Sequence, residues 1–427
     1  MTKPSKQTQL GWCSKCYLPA LVVPLLLMFT VVGLQPADAQ TYAVLHNFTG
    51  GQDGAFPEAG LTMMGTGNLY GTTDQGGEYD YGSVFRLRWS GSAWTFSGIY
   101  SFQGGNDGYF PDSRLVVGPN GNLYSTTSTG GGGSCSLYGC GTFFKLQPPL
   151  TTCKTALCNW TKTILYRFTN FHDGRNPIGD LLFDTSGSVY GTTTVGGDFG
   201  EGSVYELTPS NGEWVGSVLH GFTGGSDGAI PFSGLIADNA GNLYGTAGGG
   251  GDYRFGTVFE LTPTGSGWVL TVLYAFRGGS DGGGPVGGLI FDQSGNLYGT
   301  TSSGGSGGGG TVFEMTPSEA GLTFHLLYSF RGSAGPSANL TLDRAGNLYG
   351  TTAGDGTYQH GSVFRLTPDN GSWSETDLYS FTGGSDGNTP MSIVTLDANG
   401  NLYGTTQTGG ANDCGGRGCG VVWEITP

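Results

Sequence analysis

The phrase GNLYGTT returns seven times with small variations along this chain of 427 residues, placing a tyrosine at Tyr70, Tyr124, Tyr190, Tyr244, Tyr298, Tyr349 and Tyr403. The intervals are 54, 66, 54, 54, 51 and 54 residues. A chain that repeats at such a period builds one supersecondary unit over and over, because a single unit cannot bury its own apolar face. Two more phrases keep the same count. The first, most often G-S/T-V-F-x-L, sets a ring at Phe85, Phe144, Tyr205, Phe259, Phe313, Phe364 and Trp423. The second, most often LYSF, ends at Phe48, Phe102, Phe168, Phe222, Phe276, Phe330 and Phe381.

Each unit reads as four short strands, a to d, separated by turn residues. In the third unit, strand a is Leu181–Phe183 and the turn from Asp184 to Gly187 can be capped by its own aspartate. Strand b is Ser188–Thr193, strand c is Ser203–Leu207 with Thr208-Pro209 as its stop, and strand d is Trp214–Phe222. Strands b and c carry apolar residues on both faces, as in Leu243 beside Tyr244 and Val258 beside Phe259, so they are covered on two sides. Blades packed face to face around an axis have that property. A solenoid would need polar caps at both ends. Here the first copy of strand d, Tyr42–Phe48, precedes any strand a, and the last unit stops at Val421–Ile425 without a strand d. The expected fold is therefore all-β: a seven-bladed β-propeller of four antiparallel strands per blade, in which residues 42–48 complete the blade formed by 391–427. Repeated rings at fixed strand positions, and Trp94, Trp160, Trp214, Trp268 and Trp373 on strand d, are read as core.

Composition agrees. Glycine supplies 84 of 427 residues, about three times its usual share, but without the strict period of collagen. Aromatics at 12% and hydrophobics at 37% exclude a disordered low-complexity chain.

Residues 1–39 read as a secretory signal peptide. Lys3, Lys6 and Lys15 precede an apolar stretch from Tyr17 to Leu34, and Ala37-Asp38-Ala39 supplies a small-residue cleavage site. The rival is an uncleaved anchor, since the apolar run is near the lower limit for a span. Cleavage leaves 14 basic and 31 acidic residues, a formal charge of −17, and residues 40–427 as a single propeller. That sign excludes a nucleic-acid or anionic-membrane surface. No second apolar span follows, so the expectation is a monomer with no membrane span once the leader is removed.

Six cysteines remain, as three C-x₄-C pairs: Cys135 with Cys140, Cys153 with Cys158, and Cys414 with Cys419. They fall in inserted loops and read as short-range disulfides of an oxidising compartment. Zinc is disfavoured, because no C-x-x-C or paired-His spacing accompanies them.

The loop after strand d repeats F-x-G-G-x-D-G-x-x-P, with carboxylates at Asp53, Asp107, Asp173, Asp227, Asp281 and Asp386. The copy from Arg331 to Pro336 lacks the aspartate. Six carboxylates on one face could hold Ca²⁺ or a polar sugar. An Asx turn feeding a glycine bend explains the same pattern without any ligand, and is preferred. No cofactor is expected and calcium is the one ion in question. Histidines 46, 172, 220, 325 and 360 are dispersed, and His46 and His220, which replace the usual tyrosine of strand d, read as packing. No nucleophile elbow, H-E-x-x-H or phosphate loop occurs, so no catalytic residues are assigned.

The recurring GNLYGTT, GG and G-S/T-V-F-x-L-T-P phrases resemble the tandem repeat of the GloVer family of bacterial exported proteins, often described as choice-of-anchor repeat proteins. The likeness covers residues 42–427. It implies a secreted, periplasmic or cell-surface propeller-like protein without an established activity. Members commonly finish with a sorting anchor, whereas this sequence reaches Pro427 directly after strand c, which favours free secretion or periplasmic residence. The functional expectation is a structural or binding module that presents loops to an extracellular glycan or protein. The alternative is a secreted carbohydrate-active enzyme, a glycoside hydrolase or lyase, with its site on the loop face near the axis.

Overall fold

Seven antiparallel sheets follow one another around a ring. The structure, a computed structural model, describes residues 40–427 except 66, 133, 134, 136, 137, 150–159 and 320; the expected leader and the Cys153 and Cys158 pair lie outside the described residues. The first blade consists of Thr62–Met63, Asn68–Thr73, Ser83–Trp89 and Trp94–Ser101 in that order. The last holds Thr395–Leu396, Leu402–Thr406 and Val421–Thr426, and its fourth strand is the opening segment Thr41–Asn47. Tyr42 pairs with Ile425 and Val44 with Trp423. The ring is thus closed by the N-terminal strand, which pairs the edge of strand c in the last blade as strand d does in the other six.

The conserved wording of each repeat follows from the contacts its residues make. In the unit that begins with Ile290, the Asp292 carboxylate accepts from the backbone N–H of Ser294 and Asn296 and from the Asn296 amide, closing the a–b turn. The Tyr298 hydroxyl then lies 3.3 Å from Asp292 and 2.8 Å from Glu314 on strand c. The following glycine makes room for the ring on strand c: at Gly71, a Cβ would stand 2.4 Å from Cζ of Phe85, its register partner. The first threonine reaches the next blade, Thr192 to the Ser233 carbonyl at 2.8 Å and Thr351 to that of Ser392 at 3.0 Å. The second ties strand b to the start of strand c, as Thr73 does with Ser83 at 2.8 Å. Five of the seven positions of the phrase are therefore accounted for by these contacts.

Seven hydrophobic clusters hold the ring, one at each junction between blades. The phenylalanines of strand d and the rings of strand c are fully buried in them. The tryptophans pack as expected, each on a ring of the preceding blade: Trp160 stands 5.8 Å from Tyr70, Trp268 6.2 Å from Tyr190 and Trp373 6.1 Å from Tyr298. Burying such rings stabilises by about 1.5–3 kcal/mol per side chain, so the junctions are the main store of stability.

Strand c does not stop at proline. In the third blade it runs Ser203–Ser210, and Pro209 pairs with Trp214. The ladder to strand b has already ended at Leu207 opposite Val189, so the edge of Pro209 that lacks an N–H faces no partner.

Candidate functional site

The six repeated aspartates sit inside their own turns. Asp227 accepts from the Thr223 backbone N–H at 2.9 Å and from its hydroxyl at 2.5 Å, and lies 3.0 Å from Nε2 of His220. Asp53 has the same set from Thr49 and His46. Tyrosine takes the histidine's part beside Asp107, Asp173, Asp281 and Asp386, at 2.9–3.1 Å. Burial raises the Asp53 and Asp227 carboxyls, but hydrogen bonds from these neighbours outweigh it and hold both below the ordinary value. Each carboxylate of the ring thus closes its turn by accepting from the backbone N–H four residues earlier, not from the one two residues later as the expected Asx turn would. His46 and His220 are hydrogen-bonding members of that closure as well as packing residues, which the sequence reading missed.

The loop without an aspartate makes a different bond. Its tyrosine, Tyr328, donates to Glu375 of the next blade at 3.2 Å. Burial, with Asp377 next in effect, pushes the Glu375 carboxyl up to about 7.

The d–a and b–c loops emerge at the same end of the sheets, joined by bridges such as Ala55 to Gln75 and Asn388 to Thr408. On this face, residues drawn from the three that follow each repeated proline surround a cavity of about 430 Å³. Its polar lining comes from Glu58, Asp112, Arg114 and Asp180 of the first three blades and Asn339 of the sixth. Ile178, Phe232, Val286, Met391 and Ile393 supply the apolar lining, interleaved with them around the ring. Arg114 donates from Nε and Nη2 to the same Asp180 oxygen at 2.9 and 2.7 Å.

Two acids here hold their protons unusually well. Burial, then Asp74, raises Glu58, against a hydrogen bond from Gln407. Asp112 is raised further, first by burial and then by Asp74 and Glu58. Its Oδ1 is buried with no hydrogen-bond partner. These axial residues were not singled out from the sequence. Their signal is an inverted one: they are three positions at which the repeats disagree directly after a recurring proline, reading EAG, DSR, IGD, FSG, VGG, SAN and MSI.

Around the cavity the loop face carries exposed rings. Tyr79, Tyr81, Tyr138, Phe199, Tyr253, Phe255 and Tyr358 stand on b–c loops, and Phe171 on a d–a loop. Tyr109 links two of them, 4.6 Å from Tyr81 and 6.3 Å from Tyr138. The disulfides Cys135–Cys140 and Cys414–Cys419 are formed and clamp the two long b–c loops.

A closed seven-bladed ring built from one repeated unit defines a tandem-repeat β-propeller. Residues 30–239, 151–292 and 181–417 match the model of the Gloeobacter/Verrucomicrobia repeat, and the chain belongs to that family. No curated protein matches it. Among solved structures, it is similar to the extracellular domain of a proposed hybrid two-component system protein of B. thetaiotaomicron, with 11% identity and a TM-score of 0.53 over 91% of this chain and 42% of that one. A proposed gluconolactonase gives 12% identity and a TM-score of 0.40 over 91% and 92% of the two chains. A gluconolactonase of Xanthomonas campestris gives 15% and 0.36 over 62% and 74%. At 11% identity the first of these likenesses is one of fold alone.

Proposed function

We propose that this chain is an exported glycan-binding module whose ligand sits on the loop face, with one sugar in the axial cavity. The observation that carries this reading is the cavity itself. At about 430 Å³ it falls in the range of small-ligand sites, and its lining offers both charged or amide groups and apolar side chains. A pyranose has the same two characters, hydroxyls at its edge and C–H groups on its face. Exposed aromatics on the same face extend the surface for stacking. The acidic net charge favours neutral or basic glycans over anionic ones. The leader-like N-terminus and the disulfides support export.

A glycan microarray probed with residues 40–427 tests the reading. Retention on neutral glycans is expected, with Arg114→Ala and Phe232→Ala each weakening it about tenfold, or ~1.4 kcal/mol. An array without a retained glycan would refute it.

A second reading has its own observation. Asp112, buried beside Asp74 and Glu58 and with its carboxyl raised by that burial, is an acid next to other carboxyl groups, the pairing that glycoside cleavage employs. If retained glycans gain new reducing ends with the wild-type chain and not with Asp112→Asn, the module is an enzyme. Unchanged glycans would remove that reading.

A further inference from the structure

Strand d carries two positions that face each other across the blade junctions, and at six of the seven they are in contact. One is the tyrosine or histidine two residues before the repeated phenylalanine. The other lies six residues before that phenylalanine in the next blade. At three junctions the pair is a parallel ring stack: Phe96 on His46 at 4.0 Å, Phe324 on Tyr274 at 4.2 Å, and Tyr42 on Tyr379 at 3.8 Å. Lys162 lies 5.3 Å from the Tyr100 ring centre, and Glu375 accepts from Tyr328. The covering ring also closes the core below it, Phe324 standing 6.1 Å from Phe276 and 5.6 Å from Phe313.

Between the second and third blades that position is Gly216. Its φ is not positive, so the backbone does not demand glycine there. With no side chain to cover them, Phe168 and Tyr205, the counterparts of Phe276 and Phe313, line a cavity of about 260 Å³ beneath Tyr166. Phe171 forms its lip, 67% exposed, and His172 and Asp173 supply polar edges. The end of the Tyr166 ring rests over the glycine, where a Cβ would meet its hydroxyl oxygen at 2.6 Å. Seven equivalent junctions therefore contain one slot that lacks a covering side chain.

We propose that this slot is a subsite for one pyranose ring of a neutral glycan, stacked on Tyr166 where three sister junctions stack a ring of their own. Phe171 gives the sugar a second apolar wall, and the exposed His172 meets its hydroxyls. The inference rests on the glycan-binding reading above but lies on the outer rim, away from the axis. Saturation-transfer NMR on residues 40–427, with cellobiose and N,N′-diacetylchitobiose as probes, tests it. Transfer to the ring protons of at least one probe is expected from the wild-type chain. In Gly216→Phe, which copies Phe96 and Phe324, rim binding should fall at least tenfold while the thermal midpoint is held or raised. If that variant does not fold, Tyr166→Ala should show the same loss. Absence of transfer from the wild type, or transfer undiminished in the plugged or truncated variant, overturns the subsite. Arg114→Ala keeps the two claims apart: a rim signal that survives it while array retention is lost assigns the probes to the slot, and the reverse pattern assigns them to the axis and overturns the slot.

Discussion

Nε2 of His46 lies 3.0 Å from Oδ2 of Asp53, in the place where four other blades set a tyrosine hydroxyl against the same carboxylate. Histidine and tyrosine are interchangeable there because both present a flat ring to the junction and a donor to the turn. His46→Tyr should therefore change stability by less than ~0.5 kcal/mol, whereas Asp53→Ala, which strands the Thr49 N–H and the ring donor, should cost about 1–3 kcal/mol in equilibrium denaturation. The Asp53 carboxyl is held below its ordinary value, so its contribution is present at neutral pH and disappears as pH falls through the folded-state value, below about 4.

Closure of the ring brings Trp94 within 5.7 Å of Tyr403, joining the first blade to the last. Trp94→Ala should cost about 2 kcal/mol or more, because it opens a void at the seam that completes the circle. Trp89, 42% exposed, provides the contrast, and Trp89→Ala should cost less than half as much in the same urea titration.

Glu375 predicts a pH dependence of the opposite kind. Its carboxyl is raised to about 7 in the fold, from about 4.5 when unfolded, chiefly by burial and then by Asp377. A raised acid stabilises in its protonated form, so this contribution is complete below about 4.5 and is lost as pH rises through about 7. The thermal midpoint should fall between pH 5.5 and 8. Because Glu375 is only half-buried, the effect should not exceed ~1–2 kcal/mol after solvent screening. Glu375→Gln, scanned over the same range, should flatten that slope.

The Cys414–Cys419 bond lies against the turn that follows the closing strand, where a Cβ on Gly50 would stand 2.5 Å from Sγ of Cys414. Replacing both cysteines by serine should lower stability by ~2 kcal/mol, and hydrogen exchange should rise first at residues 48–54 and 408–420. An unchanged exchange rate in the first of these segments would show that the clamp acts only within its own loop.

Much of this architecture was legible because the repeated phrases encode contacts that recur. The tyrosine of GNLYGTT, the ring of strand c and the phenylalanine of strand d are the core because each faces a neighbouring blade every time. The segment Tyr42–Phe48 announced ring closure by being a strand d without a blade. The stop at Pro209 misled, because a proline ends a strand only where its missing N–H would face a partner, and there it does not. Asp53 and its six-fold pattern drew attention by repetition, yet repetition marks structural need. Glu58, Asp112, Arg114 and Asp180 came together only in three dimensions, from blades 54 to 66 residues apart. Their departure from the repeat was the available clue, as was glycine at 216 among larger residues.

Hydrogen-exchange mass spectrometry of residues 40–427, with and without the glycan best retained on an array, tests the assignment of the binding face most directly. Protection is predicted at the axial segments 58–60, 112–114 and 178–180 and in the neighbouring b–c loops 74–82 and 251–256. Protection confined to the opposite turns, such as 184–187 and 209–214, would contradict the account, as would a ligand that protects no part of the loop face.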